Sequence, residues 1–334
     1  MRTPLFALLA VIVAIVIFAL MRLPNIEYLF VAGYTIVQYI VLSTAWNILG
    51  GYCGYVNFGS AAFFALGAYS TVALATFGNQ VDDLVPESLA PYFHLIFPLP
   101  IPVLIVIGGI VSGIVGFGTG YLTLRLRGAF FAIATLALSV VLATLVVNWD
   151  FVGGSGGAYV VRPGEFPGLG SYLQYLFLLM LGLAVLSVVL ARWIERSRLG
   201  YGFAAIRDDE LAAEASGVPT LRLKLIATTL SGALMGMAGA PFPYYIGYLA
   251  PVSAFGLEYA VNSIAMPLIG GTTNWLGPVI GTILLGTLQQ VTTVTISSAV
   301  NVLLVGVLLI AFVIIAPNGI VGLVQERLHA RRRK

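Results

Sequence analysis

An all-α polytopic membrane protein is the fold expected of this chain, and three features point to it. Of its 334 residues, 60% are hydrophobic and only 9% charged, against about 25% charged in soluble domains. The apolar stretches are continuous and about 20 residues long, which is the length of a helix across a bilayer. A barrel shows short segments of alternating polarity instead. The one long charged stretch, Arg192–Lys224, interrupts an otherwise lipid-soluble sequence.

The apolar segments number about ten. They lie at residues 4–21, 28–49, 56–77, 98–124, 129–148, 171–191, 224–245, 257–270, 277–291 and 298–316. The first, Pro4–Leu20 behind Arg2, looks like a signal peptide. Met21-Arg22-Leu23-Pro24 follows it rather than a small-residue cleavage site, so a retained span is expected. The eighth segment is short and the ninth is interrupted by glycine. Either is expected to be broken or re-entrant.

Lys and Arg concentrate on the cytoplasmic side of membrane proteins. With the N-terminus inside, all 16 Lys and Arg except Arg22 and Arg162 fall on inner segments. The outer loop 78–93 holds Asp82, Asp83 and Glu87 and no base. Both termini are therefore expected in the cytoplasm, with an even number of spans. Ten spans divide into two sets of five. An odd number per half sets the halves in opposite orientation, as in many transporters. Two inverted five-helix halves are expected within one transmembrane domain, 1–334. The tail 321–334 ends in His329-Ala-Arg-Arg-Arg-Lys and reads as a basic cytoplasmic anchor to anionic lipid.

The charged loop 192–224 is the most informative segment. Its middle, Ala204–Ser216, is expected to be one helix, stopped by Gly217-Val218-Pro219. A short polar helix between spans, on the basic side, is a docking surface through which a soluble partner pushes on the membrane helices. Its candidate contact residues are Arg207, Asp208, Asp209, Glu210, Glu214 and Gly217.

A second cluster is the run Gly50-Gly-Tyr-Cys-Gly-Tyr-Val-Asn-Phe-Gly59, followed by Ser60. Glycine this dense permits turns and bare backbone, tolerated at membrane depth only against protein or a wet cavity. Two readings stand: a broken helix lining a transport path, or close packing at a short inner loop. Gly54, Asn57, Gly59 and Ser60 are the candidates for a path. Polar residues at one-turn spacing inside other spans join them: Thr135 with Ser139, and Glu258 with Asn262. Each Ser or Thr alone reads equally as an interhelical hydrogen bond. Glu258 reads equally as a solvated interfacial residue. Gly109, Gly113, Gly116 and Gly120, like Gly232 and Gly236, read as helix-packing positions rather than substrate contacts.

What is missing narrows the function further. Neither lysine, Lys224 or Lys334, ends a G-x-x-x-x-G-K-[ST] loop, so the chain is no P-loop ATPase. No acid–base pair lies mid-span, where ion-coupled carriers need one. No Ser/His/Asp or H-E-x-x-H arrangement is present, so no catalytic residue is expected. One cysteine, Cys53, excludes an internal disulfide, and His94 and His329 lie far apart in sequence. No metal, cofactor or nucleic-acid partner is expected.

Asn47–Ala68, NILGGYCGYVNFGSAAFFALGA, resembles the early signature of LivM-type permeases of branched-chain amino-acid ABC transporters. Arg127–Ala134, Gly153–Gly157, Gly200–Gly217, Gly270–Gly281 and Pro317-Asn318-Gly319 follow in that family's order. The sequence departs from the family at Thr272-Thr273, where another glycine is usual, and in its loose form of the E-A-A…G pattern at Glu214–Gly217. The resemblance implies one subunit of an importer for branched-chain or related amino acids, in a bacterial or archaeal inner (plasma) membrane. It implies a second, related permease, two cytoplasmic ATPases and a periplasmic or extracellular solute-binding protein as partners. Three alternatives stay open: a permease for urea or short amides, a stand-alone secondary carrier, and a structural membrane scaffold.

Overall fold

The computed structural model describes residues 3–23, 26–86, 88–123, 126–161, 171–295, 298–315 and 319–323. The basic tail from residue 324 onward, with Arg2, Arg125 and Arg162, lies outside the described residues. In chain order the helices are α1 (Thr3–Arg22), α2 (Glu27–Asn47), α3 (Ser60–Asn79), α4 (Val81–Leu84), α5 (Ala90–Ile96), α6 (Ile101–Thr123), α7 (Ala129–Val147) and α8 (Tyr172–Glu195). There follow α9 (Arg198–Asp208), α10 (Glu210–Ala215), α11 (Thr220–Gly239), α12 (Phe242–Ile246), α13 (Pro251–Ala254), α14 (Leu257–Gly270), α15 (Leu276–Thr295) and α16 (Ser298–Ile315). Strands β1 (Ala158–Tyr159) and β2 (Tyr248–Leu249) form a two-residue antiparallel ladder.

The protein is all-α and polytopic, and each of the ten apolar segments falls on a helix. Among the described residues, eight segments are long and apolar enough to cross a membrane. The short eighth segment is lengthened by α13 to Pro251–Gly270, with a break before α14 and Pro267 inside it. The ninth is not interrupted. α15 runs continuously for 20 residues through Gly277, Gly281 and Gly286, and its Gln289, Gln290 and threonines lower its hydropathy. The loop 78–93 is more structured than its sequence suggested, because α4 and the start of α5 lie in it.

The described chain forms two compact units, residues 1–57, 173–227 and 261–334 in one, and 58–172 and 228–260 in the other. Each unit therefore draws on both sequence halves. Lipid tails are as apolar as the spans, so close packing and internal hydrogen bonds hold such helices together.

In the first unit, α2 packs along α15. The hydroxyls of Ser43 and Thr282 are hydrogen-bonded at 2.8 Å. Asn262 Nδ2 donates to Tyr39 Oη at 3.2 Å, and Gln289 Nε2 donates to Asn262 Oδ1 at 3.0 Å. Interhelical bonds of this kind contribute about 0.6 kcal/mol each in a bilayer. α1 is exposed along most of its length, but Phe6 is buried. Its ring stands 3.9 Å from the guanidinium of Arg192 and 4.7 Å from the Trp275 ring, a cation–π anchor for the helix end.

In the second unit, α3 packs on α6 and on the second half of α11. A side chain at Gly67 would overlap the Gly236 carbonyl, so the two backbones touch. Gly109, Gly113 and Gly116 likewise face Met237, Ala233 and Thr228 of α11. These are packing positions, as their four-residue spacing implied. Ser112 Oγ donates to the Phe63 carbonyl at 2.9 Å across the same contact. Phe64 stacks on Tyr259 at 4.6 Å between ring centres.

Candidate functional site

The glycine-rich run ends one membrane-length helix and joins it to the next, Glu27–Tyr52 to Ser60–Asn79. After Asn47 the backbone widens into a π-helical turn, Ile48–Tyr52, a feature that recurs at functional sites. The chain then leaves helical geometry over residues 53–59 and re-enters at Ser60. Several backbone groups of this connection find partners. Tyr55 N–H donates to the Leu49 carbonyl at 3.1 Å. Trp46 Nε1 donates to the Asn57 carbonyl at 2.9 Å. Phe58 N–H donates to Thr135 Oγ1 at 3.1 Å. Such partners are what irregular backbone needs in a low-polarity setting.

Gly54 marks the sharpest point of the connection. Its φ of +80° lies in the left-handed region, which costs other L-residues about 1–2 kcal/mol. A Cβ there would stand 3.0 Å from Cγ and 3.2 Å from Cα of Arg207. The absence of a side chain lets the connection lie directly on the charged loop.

That loop is not one helix. The expected helix Ala204–Ser216 is two, α9 and α10, separated at Asp209 with φ −160° and ψ 107°. The reason is chemical. Asp209 caps α10, its Oδ1 accepting from Ala212 N–H at 3.0 Å, and an N-cap residue must be extended rather than helical. The stop at Gly217 is as the sequence indicated, with φ +83°. Gly217 N–H donates to the Glu214 carbonyl at 2.9 Å and Val218 N–H to Ala213 at 3.0 Å, a Schellman pair. The result is an elbow, α9–α10.

The six elbow residues divide by exposure. Arg207, Asp208, Asp209, Glu214 and Gly217 are exposed. Arg207 pairs with Asp208 at 3.2 Å, and the Asp208 side chain is 71% exposed. Glu214 Oε1 accepts from Thr220 Oγ1 at 2.8 Å. Glu210 is the most enclosed of the six. Its side chain is 13% exposed and that of Lys224 only 4%, and Lys224 Nζ donates to Glu210 Oε1 at 2.7 Å. Tyr55 Oη is hydrogen-bonded to Glu210 Oε2. Lys224 Nζ also lies 3.3 Å from Tyr55 Oη and 4.8 Å from the centre of its ring. The cluster joins the elbow, the connection after α2 and the first turns of α11, all within the first unit.

Tyr55 and Lys224 were not singled out by the sequence, although one signal pointed to Lys224. It is an isolated cation at the edge of an apolar segment, and such a charge needs a partner. Tyr55 gave no comparable signal. Cys53 lies next to this cluster. Burial pushes its thiol up to about 12, the Lys224 charge opposes this, and Glu210 adds to it.

The candidate path residues are divided between the two units. In the first unit, Asn57 is buried, Gly54 is exposed against Arg207, and Asn262 is held between Tyr39 and Gln289. In the second, Gly59 and Ser60 are buried at the start of α3, and Thr135 and Ser139 are buried on α7. Thr135 has a structural task as acceptor for Phe58 N–H. Glu258 is exposed in the first turn of α14, where a carboxylate is favoured by the helix dipole.

Comparison with known proteins extends this picture. The family described as "Branched-chain amino acid transport system / permease component" matches residues 25–313. The high-affinity branched-chain amino acid transport system permease protein LivM of Salmonella typhimurium is 27% identical over 315 residues, covering 87% of this chain and 69% of the relative. LivM of Escherichia coli is 28% identical with the same coverage. The probable branched-chain amino acid transport permease protein LivH of Methanocaldococcus jannaschii is 26% identical over 278 residues, 79% of this chain and 84% of the relative. No solved structure gives a significant match.

Proposed function

Because this chain belongs to the family of permease components of branched-chain amino acid transport systems, we propose that it is one translocation subunit of an ATP-driven importer for branched-chain or related amino acids. The observation that carries this is the family match across residues 25–313. The elbow supports it independently, since a solvated charged surface lies directly against the glycine-rich connection between two spans.

In this proposal the importer sits in a bacterial or archaeal plasma membrane, with both termini and the elbow on the cytoplasmic side. A second related permease completes the path, and a solute-binding protein delivers the amino acid from outside. Two ATPases dock on Arg207, Asp208, Asp209, Glu214 and Gly217. ATP binding moves the elbow, and Gly54 passes that motion to the connection between α2 and α3. A subunit of this kind does no covalent chemistry of its own. It changes which side of the membrane the path opens to, and ATP shifts the balance of the two states.

Reconstitution tests the proposal. The subunit is placed in vesicles with its partner permease, ATPases and binding protein. Leucine-loaded binding protein is expected to stimulate both ATP hydrolysis and leucine uptake. Stimulation by a urea-loaded binding protein instead would assign the chain to short amides. Solute flux by the subunit alone, without ATP, would make it a secondary carrier.

A further inference from the structure

We propose that Glu210, Lys224 and Tyr55 form the joint through which the elbow moves the connection between α2 and α3. The inference rests on the importer reading and names the residues that transmit motion within it.

A charged pair this deeply buried is weak as a source of stability. Removing two charges from water costs about as much as their attraction returns, and well-packed apolar substitutes are often as stable. The arrangement has a different property. The three side chains come from three separate backbone segments, α10, α11 and the connection, and each touches the other two. The Glu210 carboxylate is divided between its partners, with Oε1 on Lys224 and Oε2 on Tyr55. Glu210 is also the first residue of α10, next to the Asp209 cap. Any displacement of the elbow therefore pulls on Tyr55 and on α11 together. Charge-assisted hydrogen bonds are about twice as strong as neutral ones and sensitive to geometry. They resist slippage that apolar contacts of the same size allow. Without the joint, the non-helical chain at residues 54–57 absorbs the motion.

The test uses the double variant Glu210→Gln with Lys224→Met, which leaves no buried charge unpaired, alongside Tyr55→Phe. A single substitution such as Lys224→Met strands the carboxylate and serves only as a folding control. Two readouts are taken. The first is hydrogen exchange of residues 53–57 in the purified chain. It is expected to rise about tenfold in the double variant, because that segment loses its attachment and opens locally. Exchange unchanged from wild type overturns the joint, whatever transport does. The second is leucine moved per ATP hydrolysed in the reconstituted complex. This ratio is expected to fall about fivefold or more in the double variant, an effect the size of a weak allosteric coupling. A wild-type ratio in a variant with raised exchange also overturns the proposal. Glu210→Asp keeps the charge opposite Lys224 and is expected to change both readouts less than the double variant does, and an equal change in both variants overturns the proposal. If the wild-type complex shows neither ATP hydrolysis nor uptake, the importer reading fails, while the exchange measurement still decides whether the joint exists.

Discussion

Gly54 lies so close to Arg207 that a methyl group on its Cα would meet the arginine's Cγ at 3.0 Å and its Cα at 3.2 Å. The connection between α2 and α3 therefore touches the elbow directly, through a residue without a side chain. Gly54→Ala adds left-handed strain of about 1–2 kcal/mol, and Gly54→Leu adds crowding against Arg207. Leucine at this position is expected to reduce uptake far more than the yield of assembled complex. Equal loss of both, measured by transport assay and pull-down, would mark Gly54 as a packing residue only.

The elbow carries two kinds of acid, and variants separate them. Asp209 caps α10 through Ala212 N–H. Asp209→Ala should lower thermal stability by about 1 kcal/mol, whereas Asp209→Asn, also a good cap, should cost little. Asp208 caps nothing and is open to solvent. Asp208→Lys is expected to leave the melting temperature unchanged and weaken retention of the ATPases. Thermal unfolding and co-purification measure the two effects separately.

Thr135 is buried, and its hydroxyl accepts from Phe58 N–H at 3.1 Å. Thr135→Val removes the acceptor and leaves that backbone donor unsatisfied, which costs about 1–3 kcal/mol. Thr135→Ser keeps the oxygen and should lose much less. If Val and Ser variants melt alike in detergent, the hydrogen bond contributes nothing and a contact with solute becomes the better account of Thr135.

Cys53 supplies a probe of the same region. With its thiol pushed up to about 12 by burial, little of it is the reactive thiolate near neutral pH. Maleimide at about pH 8 is expected to label the denatured chain and to spare the folded one. Rapid labelling of the folded protein would mean that the segment beside Tyr55 is open.

Much of the helical frame was legible because a bilayer imposes one simple rule on sequence. Runs of about 20 apolar residues become helices, and α6, α7 and α8 lie where their apolar runs do. The elbow was legible from its charge, and its stop from Gly217. The split at Asp209 was not, because the segment 204–216 has good helix formers on both sides. A capping aspartate overrides them only once its side chain finds Ala212 N–H. The enclosure of Glu210 was not legible for a related reason. Its neighbours Asp208 and Asp209 are solvated, and nothing local reveals that its carboxylate meets a lysine fourteen residues on and a tyrosine from another helix end. Such pairing is tertiary information. The π-turn at Ile48–Tyr52 was foreshadowed only by its glycines, which fitted a broken helix and tight packing equally well.

One assay decides whether work enters this chain through its elbow. Vesicles holding the assembled complex and internal ATP are compared with vesicles holding an Asp208→Lys, Leu211→Asp variant, which alters two exposed elbow side chains, Leu211 being 64% exposed. Leucine uptake and binding-protein-stimulated ATP hydrolysis are recorded together, with the subunit alone as a third sample. The expected result is uptake by the wild-type complex only, with both activities lost in the variant and none in the lone subunit. Normal uptake by the variant, or any leucine flux through the subunit on its own, contradicts it.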